Sequence, residues 1–271
     1  MFIADAEQQA KLELVEAARM FRQGNFAEAQ THSEKALLLD PQNKTAPYFI
    51  ARTIHAQYRP GVSTPENVAK ARDAIVAYQR ILERVHGDDE AYKAVAYLYS
   101  AIKEDALMRQ WIFQRAYDVS ITNEKRSEAF VALASKEWDC SYSITEQPAI
   151  KVTTVRRNKQ YVSYRMPQER AEFERATGCA NRALELANTA ISLAPEDESA
   201  WAYKTNILLE LTKLAEMAGQ LRLKRELQLQ YDEALKETTR LSNRPKPAPT
   251  ILPARRDLGR NLQLKRTAHH S

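Results

Sequence analysis

The fold that this sequence predicts is an all-α solenoid of about five stacked helical hairpins, and three observations lead to it. Gly is sparse, at six in 271 residues, and the long runs are rich in Ala, Leu, Glu, Lys, Arg and Gln, a composition suited to helices and poor for a large sheet. Small and large apolar residues recur at helical spacing, and proline or glycine closes each run. The cadence returns several times along the chain, which marks a repeat architecture rather than a single globular core.

The first repeat, about residues 7–41, contains the turn residue Gly24, then Phe26, Ala29, Ala36, Leu37 and Leu39 at helical spacing, then Pro41. The second, about 44–86, carries the same half-motif in Ala74, Ile75, Tyr78, Ile81 and Leu82. Its two helices are separated by a loop from Arg59 to Glu66, in which Ser63 or Thr64 can cap the next helix and Pro65 suits the first turn. The third, about 89–122, opens with the complementary half-motif Ala91, Tyr92, Val95, Ala96, Tyr99. The fourth, about 127–195, repeats that half in Ala129, Phe130, Leu133, Ala134 and Trp138, and closes with Ala183, Leu184, Ala190, Ile191, Leu193 and Pro195. The fifth, about 198–241, shows it weakly in Ala200, Trp201 and Lys204. One hairpin cannot bury its apolar face alone, so the neighbours must supply a continuous core.

At these positions the chain resembles the tetratricopeptide repeat (TPR) family over nearly the whole of residues 1–242, although Glu16 and Lys204 stand where that family carries a large apolar residue. The resemblance implies a right-handed superhelical solenoid of about five TPR-like helical hairpins. Small residues such as Ala29, Ala96 and Ala134 would let paired helices approach closely. It also implies a protein-binding scaffold whose concave face is lined by the first helix of each hairpin. Some family members clamp a chaperone's C-terminal carboxylate with lysines, asparagines and an arginine. The matching positions here hold Leu14, Ala18, Phe49, Glu90 and Ala94, which cannot form that clamp.

Register places Leu14, Ala18, Phe21, Arg22, Tyr48, Arg52, His55, Lys93, Tyr97, Val131, Ser135, Trp138, Asn206 and Leu209 on the concave face. Of these, Tyr48, Arg52, Lys93, Tyr97, Trp138 and Asn206 are the candidate partner-binding residues. Aromatic side chains beside Arg and Lys suit an extended peptide or a partner helix.

Two segments break the pattern. In the fourth repeat the helix is expected to end near Ser141 and resume near Pro167, leaving an insertion over 141–167 that is too long for an ordinary helix connection. Within it, Val152 to Val155 and Tyr161 to Tyr164 are β-prone runs flanking a polar turn, which predicts a short hairpin. Between 147 and 170 it has six bases and one acid, so Arg156, Arg157, Lys159 and Tyr161 are candidate contacts to an acidic surface, or simply a solvated loop. The second segment, 243–271, alternates proline with basic and apolar residues and carries seven bases against one acid. It reads as an extended tail, disordered alone, with Arg255 and Arg256 as candidate contacts and with Ile251, Leu252, Leu258, Leu262 and Leu264 as apolar anchors. The net charge of +5 thus belongs to the tail, and residues 1–242 are close to neutral.

Chemistry is sparse. The six glycines are isolated, so no phosphate cradle is present, and the five histidines lack metal-ligand spacing. Neither a cofactor nor a metal is expected, and no catalytic constellation supports an enzyme. Cys140 and Cys179 are too few and too far apart in sequence for a secreted disulfide framework. They read as buried small hydrophobes that face each other across a helix pair, in a reducing compartment. The N-terminal stretch is interrupted by acids and amides, and no window reaches the length of an apolar span, so a soluble, cytoplasmic protein is expected. The functional expectation is a protein–protein interaction scaffold or adaptor. The second reading is nucleic-acid or ribonucleoprotein binding through the basic tail and insertion.

Overall fold

Helices form where the apolar positions repeat, and their ends carry the residues that stop them. The computed structural model describes residues 2–156 and 159–244. These contain, in order, α1 (Phe2–Arg22), α2 (Phe26–Leu39), α3 (Ala46–Gln57), α4 (Pro65–Arg84), α5 (Asp89–Ala101), α6 (Asp105–Tyr117), α7 (Asn123–Thr145), β1 (Lys151–Arg156), β2 (Lys159–Tyr164), α8 (Arg170–Leu193), α9 (Glu198–Met217) and α10 (Leu221–Ser242).

Caps fix where helices begin. Thr64 Oγ1 accepts from the Asn67 amide at 3.3 Å ahead of Pro65, as the sequence suggests. Asp88 accepts from Ala91 N at 2.7 Å, and Asp197 from Ser199 N at 2.9 Å. Each such cap is worth about 1 kcal/mol. Gly24, at φ +81°, turns the chain from α1 into α2 in the left-handed region that favours glycine.

Each helix packs on its sequence neighbour, so α1–α2, α3–α4, α5–α6, α7–α8 and α9–α10 form five hairpins. The second helix of each also packs on the first helix of the next. This is the TPR-like all-α solenoid that the repeats predict. The close approaches are made by alanine: Ala29, Ala36, Ala74, Ala134, Ala180 and Ala187 are wholly buried, whereas Ala96 is only partly so. A larger side chain at Ala180 would overpack the α7–α8–α9 core at a cost of about 1–3 kcal/mol. That core also takes in Ile144, Ile150, Ile207, Leu208 and Leu211, with Trp138, Trp201 and Tyr203 at its margin.

The fourth repeat departs from expectation at two points. Its first helix runs past Ser141 to Thr145, and its second starts at Arg170 rather than Pro167, so the interruption is shorter than predicted. Ser141 and Thr145 are buried against α9, and their hydroxyls bond Glu210 there, which keeps the extra turn helical. Within the interruption β1 and β2 pair antiparallel from Lys151↔Tyr164 to Arg156↔Lys159, the hairpin that the β-prone runs predict.

The second departure concerns the cysteines. Cys140 on α7 and Cys179 on α8 are not free packing residues; they form a disulfide with Cα atoms 6.0 Å apart. The antiparallel α7–α8 pairing folds a separation of 39 residues back to bonding range. A disulfide persists only where thiols are not kept reduced, so the cysteines do not support a reducing compartment.

Candidate functional site

The first helices of successive hairpins are laced together along one face. Tyr48 on α3 donates from its hydroxyl to Asp88 Oδ2 at 2.5 Å, which pushes its pKa up to about 12. Arg52 Nε donates to Glu90 Oε1 at 2.9 Å, also joining α3 to α5. His55 lies with its ring 5.8 Å from that of Tyr97, and its Nδ1 is 3.3 Å from Tyr78 Oη. Lys93 on α5 reaches Glu128 on α7 at 3.8 Å. Five of the predicted groove residues, Tyr48, Arg52, His55, Lys93 and Tyr97, therefore lie along this face, but Tyr48, Arg52 and Lys93 contact neighbouring repeats. Their charges and hydroxyl are already engaged.

Farther along, Glu124, Glu128, Val131, Ser135, Trp138 and Tyr142 follow one another at three- and four-residue spacing, so they share one face of α7. Trp138 stacks on Tyr142 with ring centroids 4.7 Å apart and meets Tyr203 of α9 edge-on at 6.4 Å. Its indole Nε1 is buried and has no hydrogen-bond acceptor among the described residues. Trp138 is thus half a packing residue, joining α7 to α9, and half a groove wall. Asn206 and Leu209 on α9 are exposed, as are Tyr97 and Tyr142. These four, with Trp138, are the side chains on this surface that a partner could still engage.

The β-hairpin is held to the end of this surface by a polar node that sequence reasoning missed. Lys213 on α9 donates to Glu146 Oε1 and Glu210 Oε2, both at 2.9 Å. Glu210 also accepts from Ser141 at 3.2 Å and Thr145 at 2.6 Å, so its burial is compensated on all sides. Tyr164 of β2 donates to Glu146 at 3.3 Å, Lys151 of β1 pairs with the same carboxylate, and the Lys213 ammonium lies 4.9 Å from the Tyr164 ring. Burial pushes the Glu146 carboxyl up, but hydrogen bonds and charge from Lys151 and Lys213 outweigh it and hold the group below the usual range. A two-stranded ribbon is marginal alone, and this node supplies its anchor. It leaves Lys159, Tyr161 and Val162 exposed.

At the other end of the α7 face lies a cavity of about 660 Å³, also missed in the sequence. Glu124, Glu128 and Val131 of α7 line one side; Leu193 to Asp197 and Ser199, where α8 passes into α9, line the other. The helical spacing of Glu124, Glu128 and Val131 was the available signal. A smaller cavity of about 250 Å³ is lined by Tyr92, Trp111 and Arg115. Arg115 there is buried, paired with Asp89 and stacked 3.9 Å over the Tyr92 ring, a structural arrangement.

Of the predicted basic contacts, Arg157, Arg255 and Arg256 lie outside the described residues, as do the apolar anchors from Ile251 to Leu264; of Arg156 only the backbone is placed. Among the described residues, no group of three or more His, Cys, Asp or Glu side chains is arranged to hold a metal ion, and no helix is long and apolar enough to cross a membrane.

No family model matches the chain. The PEX5-related protein of Rattus norvegicus is 26% identical over 191 residues, covering 69% of this chain. The chain spans only 30% of the length of that relative. Among solved structures, the MamA protein aligns over 89% of this chain and 99% of its own at 14% identity and a TM-score of 0.37. A tetratricopeptide repeat protein from Parabacteroides merdae ATCC 43184 aligns over 86% and 93% at 12% identity and a TM-score of 0.35. The TPR2AB domain of yeast Sti1, solved as a pHSP90 complex, aligns over 86% and 97% at 12% identity and a TM-score of 0.32.

Proposed function

We propose that the chain is a non-enzymatic protein-interaction scaffold. A repeat body of residues 1–242 presents the face of α5, α7 and α9 to a peptide or helix of a partner protein. The tail 243–271 and the β-hairpin contribute basic contacts through Arg156, Arg157, Lys159, Tyr161, Arg255 and Arg256. The observation that carries this reading is the run of exposed side chains along the first helices, Tyr97 at 48%, Tyr142 at 39% and Leu209 at 44%, with Trp138 and Asn206 between them. The groove charges at Arg52 and Lys93 are met by Glu90 and Glu128 of the same chain. Recognition on this face is therefore apolar and aromatic, with Asn206 supplying a polar contact. With Arg52 and Lys93 paired within the chain and Glu124 on the same face, a nucleic-acid backbone would meet little net positive charge there, which disfavours phosphate binding on this face.

The test is a pull-down from native extract followed by titration of the purified partner against Tyr97→Ala, Leu209→Ala and the double variant. Both positions are exposed, so the unfolding midpoint should move little while partner affinity falls at least tenfold. Unchanged affinity in the double variant would remove the groove from the reading.

A further inference from the structure

The two sulfurs of the Cys140–Cys179 bond have different surroundings. Cys179 is buried, at 2% exposure, whereas Cys140 on α7 is partly open to solvent. Arg182, one turn after Cys179 on α8, donates from Nη2 toward Cys179 Sγ at 3.3 Å. Among the described residues no such donor meets Cys140 Sγ. The guanidinium is held at the buried sulfur from two directions. Glu137 of α7, with its side chain 13% exposed, accepts from Arg182 Nε at 2.9 Å and is fixed in turn by Arg109 Nη1 of α6 at 2.6 Å. Gly178 stands in the interior of α8, where glycine weakens a helix relative to alanine. A Cβ there would lie 3.3 Å from Arg182 Nη1, closer than such contacts normally are. Gly178 therefore leaves the space in which the guanidinium reaches the sulfur.

Thiol–disulfide exchange begins when a thiolate attacks one sulfur and expels the other, so access to the first and stabilisation of the second decide the direction. The attacker arrives in line with the bond, from the side away from the leaving sulfur. Attack on Cys140 Sγ comes from the open side and expels Cys179 against Arg182, a cation that favours the thiolate. Attack on Cys179 Sγ would have to come through packed helices and expel Cys140 with no such cation. We propose that Cys140 is a thiolation site: a small thiol of the glutathione type attacks Cys140 Sγ in the folded protein, and Cys179 leaves as a thiolate held by Arg182. The electron pair of the incoming sulfur forms the new S–S bond, and the pair of the old bond stays on Cys179. A second thiol then attacks the small-molecule sulfur of the adduct and releases Cys140. Two thiols are thereby oxidised to one disulfide and the protein bond is reduced by two electrons; the two protons pass to the cysteines or to solvent. This chemistry stands whether or not the groove takes a partner.

The test uses the full chain with the bond formed. Samples incubated with reduced glutathione without denaturant are quenched in acid, treated with N-ethylmaleimide and digested, and mass spectrometry locates both labels. Glutathione should be on Cys140 and the maleimide on Cys179. Arg182→Gln should slow adduct formation about tenfold, because a poorer leaving thiolate departs more slowly. The sign separates this role from a structural one: loss of a mere α7–α8 ion pair would loosen the crossing and speed attack. Gly178→Ala favours the helix while crowding the guanidinium away from the sulfur, so it should also slow the reaction, and it replaces Arg182→Gln if that variant does not fold. Glutathione on Cys179, or a rate in the variant equal to or above the native rate, overturns the proposal. So does a bond that glutathione leaves intact in the native chain.

Discussion

Lys213 and Glu210 stand one turn apart on α9 with Nζ and Oε2 separated by 2.9 Å, and Glu210 is only 1% exposed. Removing the ammonium leaves the buried Glu210 carboxylate with only the Ser141 and Thr145 hydroxyls and no opposite charge, while Glu146 keeps Lys151 and Tyr164. Lys213→Ala should therefore destabilise the fold by about 3–5 kcal/mol, the range for a broken buried pair. Combining Lys213→Met with Glu210→Gln should cost clearly less than the sum of the two single changes. Urea unfolding of the three variants measures this, and strict additivity would show that the pair is not coupled.

The same node sets an acid limb. Glu146 is held below the ordinary carboxylate value of 4.5, so its contribution is present above that value and lost as pH falls through the lower folded-state value. Lys213 has its pKa raised despite burial, through Glu146 and Glu210, so its contribution is complete at neutral pH and decays only above the ordinary lysine range. Glu146→Gln should lower stability at pH 7 and flatten its decline below pH 4.5. A parallel decline in both proteins would place the acid limb elsewhere.

This node also shows where the sequence stops being legible. Glu210 and Lys213, three residues apart, read as an ordinary surface pair on an exposed helix face. They are buried only because α7 continues to Thr145 and the hairpin folds back over α9, long-range placements that helical period cannot reveal. The hairpins themselves were legible, because alanines at close crossings and prolines at helix ends are local signals: Ala29 and Ala134 are buried as predicted, and Thr64 caps α4. The groove was legible only in outline. Register places Tyr48, Arg52 and Lys93 on it, but only the packed structure shows that Asp88, Glu90 and Glu128 already hold them.

The disulfide gives a redox prediction. Closing 39 residues between Cys140 and Cys179 restricts the unfolded chain, by about 4 kcal/mol on a chain-entropy account. Reduction, or Cys140→Ser with Cys179→Ser, should lower the denaturation midpoint accordingly without removing helical content. Mass spectrometry after alkylation without reductant should find no modified thiol; two alkylated cysteines in protein taken directly from its native compartment would mean that the bond is not formed there.

Burial lowers the His55 pKa, with Tyr78 Oη near its ring nitrogen and Tyr97 beside its ring. A base that is harder to protonate when folded adds stability above its ordinary value of 6.5, and that stability is lost as pH falls below it. An NMR titration of His55 should have its midpoint below 6.5, and His55→Gln should reduce the loss of stability on acidification. A midpoint at or above 6.5 would mean that the imidazole is more open to solvent than its packing against Tyr78 and Tyr97 allows.

Trp138 requires a substitution that separates packing from recognition. Alanine there would empty the contact to Tyr203 and Tyr142 and cost about 3–5 kcal/mol, so lost binding could not be told from lost structure. Phenylalanine keeps most of the ring contact and removes an indole N–H that is buried without an acceptor. Leaving such a donor unpaired costs about 1–3 kcal/mol, which offsets much of the volume lost. Trp138→Phe should therefore shift stability by less than about 1.5 kcal/mol, as a moderate core substitution does. If the exposed part of the ring is instead a surface that a partner covers, the same variant will lose partner affinity at nearly unchanged stability. Measuring both quantities on one preparation distinguishes the two roles: a large fall in stability would make Trp138 a core residue, and a fall in affinity alone would make it part of the groove wall.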